Sequence, residues 1–255
     1  MITLAIAAQK GGVGKTASAL ALGYLMNEAG QRILYVDLDP QANLTTQLLG
    51  RFPEGKALPE VLQGTALAVN VIQRTQQGDL LPSADRLAGK GILSGKGAAV
   101  ALKGILEPLK DMYDICLIDC PPSLGALTVA ALTACDSVII PAKADRFSMD
   151  AIMETLKTIK TVKENTNPDI RVMGVLITQY NGRACVNKLT LEQIQGLVKS
   201  QRITVYPPIR RAVAVEEAQY TGNSIFATKN NAAADYRQVA ETIMRQIKYL
   251  KGVKK

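Results

Sequence analysis

The chain has 255 residues, of which 47% are hydrophobic, and its 30 basic and 22 acidic residues give a formal net charge of +8. It contains no histidine, which excludes histidine-based catalytic triads and histidine metal sites and leaves proton transfer to carboxylates, lysines or water. No apolar run reaches the roughly 18 residues of a membrane-spanning helix, and the length suits a single domain over residues 1–255, so we expect a one-domain cytoplasmic protein.

A glycine-rich loop follows the first predicted strand. The apolar run Ile2–Ala8 leads into Lys-Gly-Gly-Val-Gly-Lys-Thr, and the next pattern predicts a helix over Ala17–Glu28. Such a loop points backbone N–H groups and the positive helix end at an anion. Lys15 can then reach the β- and γ-phosphates of a nucleotide, while the Thr16 hydroxyl ligates Mg²⁺. The predicted phosphate-binding residues are Lys10, Gly11, Gly12, Val13, Gly14, Lys15, Thr16 and Ala17.

Two further predicted strands end in carboxylates. Ile33–Val36 is followed by Asp37 and Asp39, and Ile115–Ile118 is followed by Asp119. Aspartates at strand ends often cap loops or helices. Ligands nevertheless bind at the carboxyl ends of strands in open α/β sheets, and an aspartate after an apolar strand suits a magnesium ligand. Together with the glycine loop they predict a phosphoryl-transfer site, whose candidate metal ligands are Thr16, Asp39 and Asp119.

The rest of the chain alternates apolar strand patterns with helical ones. Ser137–Ala142 and Val172–Thr178 are predicted central strands, and Met149–Lys163 is a helix with an apolar core stripe. Residues 51–110 are less regular, with short predicted strands at Val69–Arg74 and Asp79–Pro82. This alternation predicts an α/β fold with a mostly parallel twisted sheet and helices on both faces.

The four cysteines form no C-x-x-C pair. Two of them lie in or beside an apolar strand, so we expect all four to be small core residues in a reducing compartment rather than ligands or disulfides. They are Cys116, Cys120, Cys135 and Cys185.

Four motifs, KGGVGKT, DLDPQAN, LIDCPPSLGALT and ITQYNGR, occur in this order. Together they resemble the ParA/Soj branch of the MinD/ParA deviant Walker A ATPases, from residue 1 to about residue 245. The resemblance implies a P-loop NTPase fold and an ATP-dependent homodimer that sandwiches two ATP molecules. Lys15 would bind its own nucleotide and Lys10 would cross to the partner's phosphates. Asp39 would orient the attacking water, and Asp119 with the following loop would sense the γ-phosphate.

Adenine recognition follows the family pattern less closely. The resemblance assigns the base to Tyr180 and Asn181 and to a Pro-Arg-Asn loop, which aligns here with Arg210-Arg211-Ala212. The proline and the asparagine of that loop are both replaced. We therefore expect base contacts from backbone groups around Pro208 to Arg210.

The resemblance also implies DNA binding without sequence preference by the ATP-bound dimer. Arg183 matches one of the two family arginines that contact DNA, whereas the other aligns with Ala214. Arg210 and Arg211 lie close enough in sequence to take its place. The implied partners are non-specific DNA and a ParB-like centromere-binding protein, with a nucleoid-associated location. Plasmid, chromosome, mobile element and protein assembly all stay open as the cargo.

Two rival functions share the glycine loop. A membrane-positioned MinD-like ATPase would need a C-terminal amphipathic anchor, and the end of this chain is basic with interspersed apolar residues. However, Val239, Ile243, Ile247 and Leu250 continue one stripe of a helix starting near Ala232, which favours docking on the sheet, and Gly252 would interrupt what remains.

The second rival is a P-loop reductase with an iron–sulfur cluster. Such a reductase needs exposed cysteines flanked by glycine, which Cys120 and Cys135 do not offer.

Overall fold

The computed structural model describes residues 1–89 and 97–253. Within these residues, seven strands form one sheet in the order β3-β4-β2-β5-β1-β6-β7. All neighbours are parallel except β3 and β4, which confirms the predicted mostly parallel sheet. The strands are Ile2–Ile6 (β1), Ile33–Asp37 (β2), Gln73–Thr75 (β3), Gly78–Leu81 (β4), Ile115–Asp119 (β5), Ser137–Lys143 (β6) and Arg171–Thr178 (β7).

Helices cover both faces of this sheet. Along β1, Leu4 and Ile6 face one apolar cluster that includes residues of the first and last helices, whereas Ala5 faces a second cluster on the opposite side. This alternation follows from the two-residue period of a strand. The helices are Lys15–Glu28 (α1), Asn43–Leu49 (α2), Leu58–Leu62 (α3), Ala98–Leu106 (α4), Ala126–Ala134 (α5), Ser148–Asn165 (α6), Cys185–Lys199 (α7), Val213–Thr221 (α8) and Asn231–Val253 (α9).

The strand register brings the site residues to one edge of the sheet. Asp119 at the end of β5 pairs in register with Ile6 on β1 and with Asp37 on β2. Because the strands are parallel, the loops that follow β1, β2 and β5 leave the sheet side by side. The glycine loop and the acidic strand ends are therefore neighbours in space.

Residues 204–211 run beside β7 and cover part of its outer edge. Val175 N–H donates to the Thr204 carbonyl at 2.8 Å, and Tyr180 N–H donates to the Ile209 carbonyl at 2.9 Å. Two parallel bridges, Val175 with Val205 and Tyr180 with Arg210, continue this pairing. The segment leads directly into α8, which it positions next to the glycine loop.

The apolar stripe of the last helix packs on the sheet, as predicted, in a cluster that also includes residues of α1. Val239, Ile243 and Ile247 are buried, and the α9 stripe joins the apolar cluster that contains α1. Contrary to the sequence expectation, Gly252 does not end the helix, which continues to Val253. Lys254 and Lys255 of the basic tail lie outside the described residues. Within residues 1–89 and 97–253, no helix has both the length and the apolar composition needed to cross a membrane.

The irregular region between β2 and β5 departs most from the predictions. The predicted strand Val69–Arg74 is wrong over its first half, where the chain forms a 3-10 helix at Ala68–Asn70 and β3 starts only at Gln73. Val71 is apolar because it is buried against the core cluster, without belonging to a strand. Helix α4 was not predicted, and residues 90–96 of this region lie outside the described part of the chain.

The cysteine prediction is right for three residues and wrong for the fourth. Cys116, Cys120 and Cys135 are buried, whereas Cys185 is exposed. Cys185 is the first residue of α7, and its neighbour Val186 and Leu189, one turn further along, are also exposed. It is therefore a surface thiol and not a core residue.

Candidate nucleotide site

The glycine loop lies between β1 and α1 and adopts the backbone that its glycines allow. Gly12 and Gly14 have φ of 66° and 79°, values that side chains with a Cβ rarely adopt. The loop is fixed to the end of β7, since Thr178 Oγ1 donates to the Val13 carbonyl at 2.9 Å and Gln179 Nε2 donates to the Gly12 carbonyl at 3.0 Å. It is therefore held in place by hydrogen bonds from its own chain.

Lys15 begins α1 and is buried beneath the loop. Its side chain curls back, and Nζ donates to the Lys10 carbonyl at 3.2 Å. Burial lowers the pKa of Lys15, and the neighbouring carboxylates Asp119 and Asp39 oppose that effect. A buried cation beside a glycine-rich loop at the start of a helix is suited to phosphate oxygens.

Thr16 and Asp119 form the second part of the site. Thr16 Oγ1 donates to Asp119 Oδ2 at 2.6 Å. Asp119 Oδ1 is buried and has no hydrogen-bond partner among the described residues. Burial raises the pKa of Asp119 well above its ordinary value, and the nearby Asp37 raises it further, while the Thr16 hydrogen bond acts in the other direction. A buried carboxylate oxygen without a partner is a position that a cation would satisfy.

Asp37 is the last residue of β2 and Asp39 lies in the loop that follows, and the two carboxylates have different environments. Asp37 accepts three hydrogen bonds, from Asp39 N–H at 3.0 Å, Thr45 N–H at 2.8 Å and Thr45 Oγ1 at 2.7 Å. Burial raises the pKa of Asp37 to about 6 against these hydrogen bonds. Its contacts tie the loop to α2, and Ser83 Oγ, donating to the Asp39 carbonyl at 2.7 Å, ties it to the end of β4.

Asp39 keeps part of its carboxylate free. Its Oδ1 accepts a hydrogen bond from Gln41 N–H at 3.0 Å, and no described residue hydrogen-bonds to Oδ2. Neither Thr16 nor Asp119 forms a hydrogen bond with the Asp39 carboxylate. Within the described residues, no group of three or more His, Cys, Asp or Glu side chains converges on one metal position.

Lys10 opens the loop and is held by its own chain. Its Nζ forms an ion pair with Asp145 Oδ2 at 2.6 Å and lies 5.8 Å from the centre of the Phe147 ring. Burial opposes ionisation of Asp145, but the hydrogen bonds from Lys10 and Ser148 outweigh it and bring the pKa of Asp145 below its ordinary value. The Lys10 side chain is 31% exposed, so this pair is accessible from solvent.

Sequence reasoning missed Lys143, a third lysine at the loop. A Cβ added at Gly12 would lie 3.9 Å from Lys143 Nζ. Lys143 is the last residue of β6, directly after the predicted strand Ser137–Ala142. Its position at the carboxyl end of a central strand is the signal that could have identified it, in the same way as for Asp37 and Asp119.

A cleft of about 160 Å³ lies between the loop and α8. Gly12, Gly14 and Ala17 form one wall, and residues 209–212 and α8 form the other. The cleft is also lined by Gln179, Val215, Glu216, Gln219 and Tyr236, and sequence reasoning gave none of these five a role in the site. Gln179 directly follows β7, so the sequence could have predicted its position at the end of a strand. The α8 residues belong to no recognisable motif.

The residues predicted for the base are only partly brought to this cleft. Arg210 lines it, but Tyr180, Asn181 and Pro208 do not. Tyr180 pairs with residues 209–211 through its backbone, and Asn181 Oδ1 accepts a hydrogen bond from Arg183 N–H at 3.0 Å. Their assignment to adenine stays a prediction.

The three arginines predicted to contact DNA differ in whether a carboxylate binds them. Arg210 is engaged by Asp235, whose carboxylate accepts from its Nε at 2.9 Å and its Nη2 at 2.7 Å. Arg211 makes a surface pair with Glu216 at 3.3 Å. Arg183 is exposed and forms no ion pair with any described carboxylate.

A glycine loop fixed at the carboxyl edge of a parallel sheet, a buried lysine and a Thr–Asp pair define a P-loop nucleoside triphosphatase. A family model described as an AAA domain matches residues 1–172. The sporulation initiation inhibitor protein Soj of Bacillus subtilis is 35% identical, and the alignment covers 94% of this chain and 97% of that protein. The chromosome-partitioning ATPase Soj of Thermus thermophilus is 34% identical, with 96% of each chain covered.

Comparison of structures gives the same fold. This chain is similar to the crystal structure of cobyrinic acid a,c-diamide synthase from Mycobacterium smegmatis with bound ATP analogue and magnesium, with a TM-score of 0.82. The two sequences are 35% identical, and the alignment covers 97% of this chain and 96% of the other. The chain belongs to the ParA/Soj family of partition ATPases.

Proposed function

We propose that the protein is an ATP-dependent partitioning ATPase whose ATP-bound homodimer binds DNA without sequence preference and is stimulated by a ParB-like partner. The observation that carries this proposal is the hydrogen bond from Thr16 to Asp119 Oδ2. Asp119 Oδ1 is buried beside the buried Lys15 and has no hydrogen-bond partner within residues 1–89 and 97–253. Family membership adds the biological process, because both Soj relatives align over nearly the whole chain.

The residues of the site fit ATP and Mg²⁺. The loop N–H groups and Lys15 would hold the β- and γ-phosphates, and Ala17 and Arg210 flank the cleft in which the base would lie. Thr16 and Asp119 would hold Mg²⁺, directly or through water, and Asp39 is the third candidate ligand. Mg²⁺, when bound, supplies positive charge against the developing charge on the phosphates.

Hydrolysis needs a positioned water and neutralised charge more than covalent chemistry. Asp39 Oδ2 accepts no hydrogen bond from the part of the chain that the structure describes and can orient the water, whereas Asp37 uses its oxygens to bind the loop backbone and Thr45. Lys10 would reach the partner's phosphates once it leaves Asp145. Supplying this charge from the partner makes hydrolysis depend on dimerisation.

The DNA part of the proposal is supported by charge and exposure. The net charge is +8, and Arg183 is exposed without an ion-pair partner among the described residues. Arg210 is bound by Asp235 and Arg211 by Glu216, so Arg183 is the strongest candidate of the three for a DNA contact.

The buried stripe of α9 supports a nucleoid location over a MinD-like membrane anchor, because other residues of the core already cover its apolar side chains. The alternative function is that the same ATPase positions a protein assembly instead of DNA.

Two lysine variants test the assignment of the loop. We expect Lys15→Ala to abolish ATP binding, because it removes the buried charge next to the phosphates. We expect Lys10→Ala to bind ATP nearly as well as the wild type but to lose ATP-dependent dimerisation and stimulated hydrolysis. Equilibrium nucleotide binding and light scattering with ATP and Mg²⁺ separate the two effects.

Lys157→Ala is the matched control, since Lys157 is an exposed lysine on α6 and its replacement should change neither measurement. A Lys10→Ala variant that dimerises and hydrolyses like the control would refute the role of Lys10 across the dimer. ATP binding by Lys15→Ala at the wild-type level would refute the proposed site itself.

A further inference from the structure

A groove lined by three arginines lies at the end of the sheet opposite to the nucleotide site. It has a volume of about 410 Å³, and Arg171, Arg202 and Arg245 line it together with Tyr249. Arg171 is the first residue of β7, whereas the glycine loop follows the last residue of β1. Because the two strands run in the same direction, the groove is at the amino end of the sheet and the nucleotide site at the carboxyl end.

The positive charge of the groove is not neutralised by ion pairs within the described part of the chain. All three arginines are exposed, and none of them is in an ion pair with a described carboxylate. No acidic residue is among the groove's lining residues. Elsewhere on the described surface, several arginines are held by acids, as Arg32 is by Asp114 and Arg237 by Glu28. Three such guanidinium groups around one concavity favour an anion with several charges.

The walls of the groove are held in position. Gln246 on α9 donates to the Met173 carbonyl of β7 at 3.3 Å and accepts a hydrogen bond from Tyr206 Oη at 2.7 Å. These hydrogen bonds fix Arg245, the neighbour of Gln246, relative to Arg171 on the strand. Tyr249, one turn further along α9, is 70% exposed and offers an aromatic surface to the same groove.

Arg202 has a backbone conformation that its residue type disfavours. It follows α7 with a φ of 55°, in the left-handed region that glycine adopts most readily at such a helix end. Thr204, two residues later, also lines the groove. A long basic side chain therefore stands where glycine would suit the backbone better, and the conformational strain coincides with the charged groove.

We propose that this groove is a second contact site for the sugar–phosphate backbone of DNA, resting on the DNA binding proposed above. Arginine forks suit phosphate oxygens, and the exposed tyrosine can pack on a sugar or base. Since the groove is at the opposite end from the nucleotide, it stays accessible when two copies meet through their ATP sites. Its contribution to DNA binding is then the same with ATP, with ADP and without nucleotide.

The test is a salt titration of random duplex DNA binding with ATP and with ADP, each with Mg²⁺. The groove variant combines Arg171→Ala, Arg202→Gly and Arg245→Ala. We expect its affinity to fall by at least about tenfold in both nucleotide states, and the log–log salt slope to decrease by about one for each phosphate that the variant no longer neutralises. The ratio of affinity with ATP to affinity with ADP, and the basal ATP hydrolysis, should not change.

The control variant removes the same number of charges from another surface. Lys157, Lys160 and Lys163 are exposed on α6, and replacing them by alanine should have a smaller effect if the groove is specific. Arg202→Gly alone addresses folding, since it should keep or raise the thermal midpoint while it weakens DNA binding.

Three outcomes would overturn the groove proposal. Equal decreases in affinity for the groove and control variants would mean that any loss of positive charge weakens DNA binding and that the groove is not a specific site. The ATP dependence of the wild type would still support the proposed function. Duplex binding unaffected by the groove variant would remove the site. Sedimentation of the wild type with anionic phosphatidylserine liposomes, abolished in the groove variant and without duplex binding, would assign the arginines to lipid and would also refute DNA as the partner.

Discussion

At the scale of single residues, the chemistry depends on how many oxygens each aspartate has left for the substrate. Asp37 accepts three hydrogen bonds from the protein and is fully buried, so it serves to hold the loop. Asp39, two residues later, has one oxygen without a described hydrogen-bond partner and is 8% exposed. The two residues thus have separable roles although the motif presents them together.

Replacing Asp39 by alanine should therefore trap an ATP-bound dimer. Removal of the residue that orients the water should raise the hydrolysis barrier by about 3 kcal/mol, the scale of one positioned catalytic group. ATP should still bind, because Lys15, Thr16 and Asp119 remain. Single-turnover hydrolysis together with dimer lifetime by light scattering measures both effects.

Asp37→Ala is the informative comparison for this variant. It removes three hydrogen bonds from the loop after β2, so it should lower the thermal midpoint as well as the activity. Asp39→Ala should leave the midpoint nearly unchanged. Unaltered turnover in Asp39→Ala would transfer the water-orienting role to Asp37 or Asp119.

At the scale of elements, α9 distinguishes a packed helix from a membrane anchor. Ile243 is fully buried in the cluster shared with α1. Ile243→Ala should lower the free energy of unfolding by about 2–5 kcal/mol, the range for a large-to-small core substitution. Lys248→Ala, at an exposed position of the same helix, should change it by less than about 0.5 kcal/mol.

Urea denaturation monitored by circular dichroism measures these differences. If both variants unfold at the same urea concentration as the wild type, α9 is not part of the folded core and the anchor interpretation regains support. Liposome sedimentation of Ile243→Ala, compared with the wild type, provides the direct check.

The elements that the sequence predicted best are those whose apolar pattern has a single explanation. Ile33–Val36 and Ile115–Ile118 are short, fully apolar and followed by acids, and both are central strands. Val69–Arg74 has apolar residues for a different reason, since Val71 is buried in a core cluster although it lies between a 3-10 helix and β3 and not in a strand. Burial and strand pairing leave the same mark on a short sequence, so only the tertiary structure separates them.

The residues of the candidate site also separate into those that a local sequence pattern predicts and those that only the tertiary structure brings together. The phosphate loop and the strand-end aspartates were predictable because glycine and carboxylate requirements are local. The cleft walls were not, since Val215 and Gln219 reach the loop only because residues 204–211 pair with β7 and position α8. The ion pair of Lys10 with Asp145 joins residues far apart in sequence, and no local pattern indicates it.

At the scale of the whole molecule, the two ends of the sheet have different surfaces. The carboxyl end carries the nucleotide loop, Lys10 and the acidic strand ends, and the amino end carries the arginine groove. A dimer formed at the carboxyl ends would bury the first surface and leave the second open. The organisation of residues 1–255 as one ATPase domain stays a prediction.

The central claim is that ATP switches the protein into a form that binds DNA. Its most direct test is equilibrium binding of the wild type to random duplexes with ATP, ADP or no nucleotide, over a range of salt concentrations. We expect tight binding with ATP and Mg²⁺ that is indifferent to sequence and weakens steeply with salt, because each neutralised phosphate releases counterions. Binding should be much weaker with ADP, and Arg183→Ala should reduce the slope with ATP. Equal affinity in all three nucleotide states, or ATP-dependent sedimentation with anionic liposomes without any duplex binding, would contradict the account.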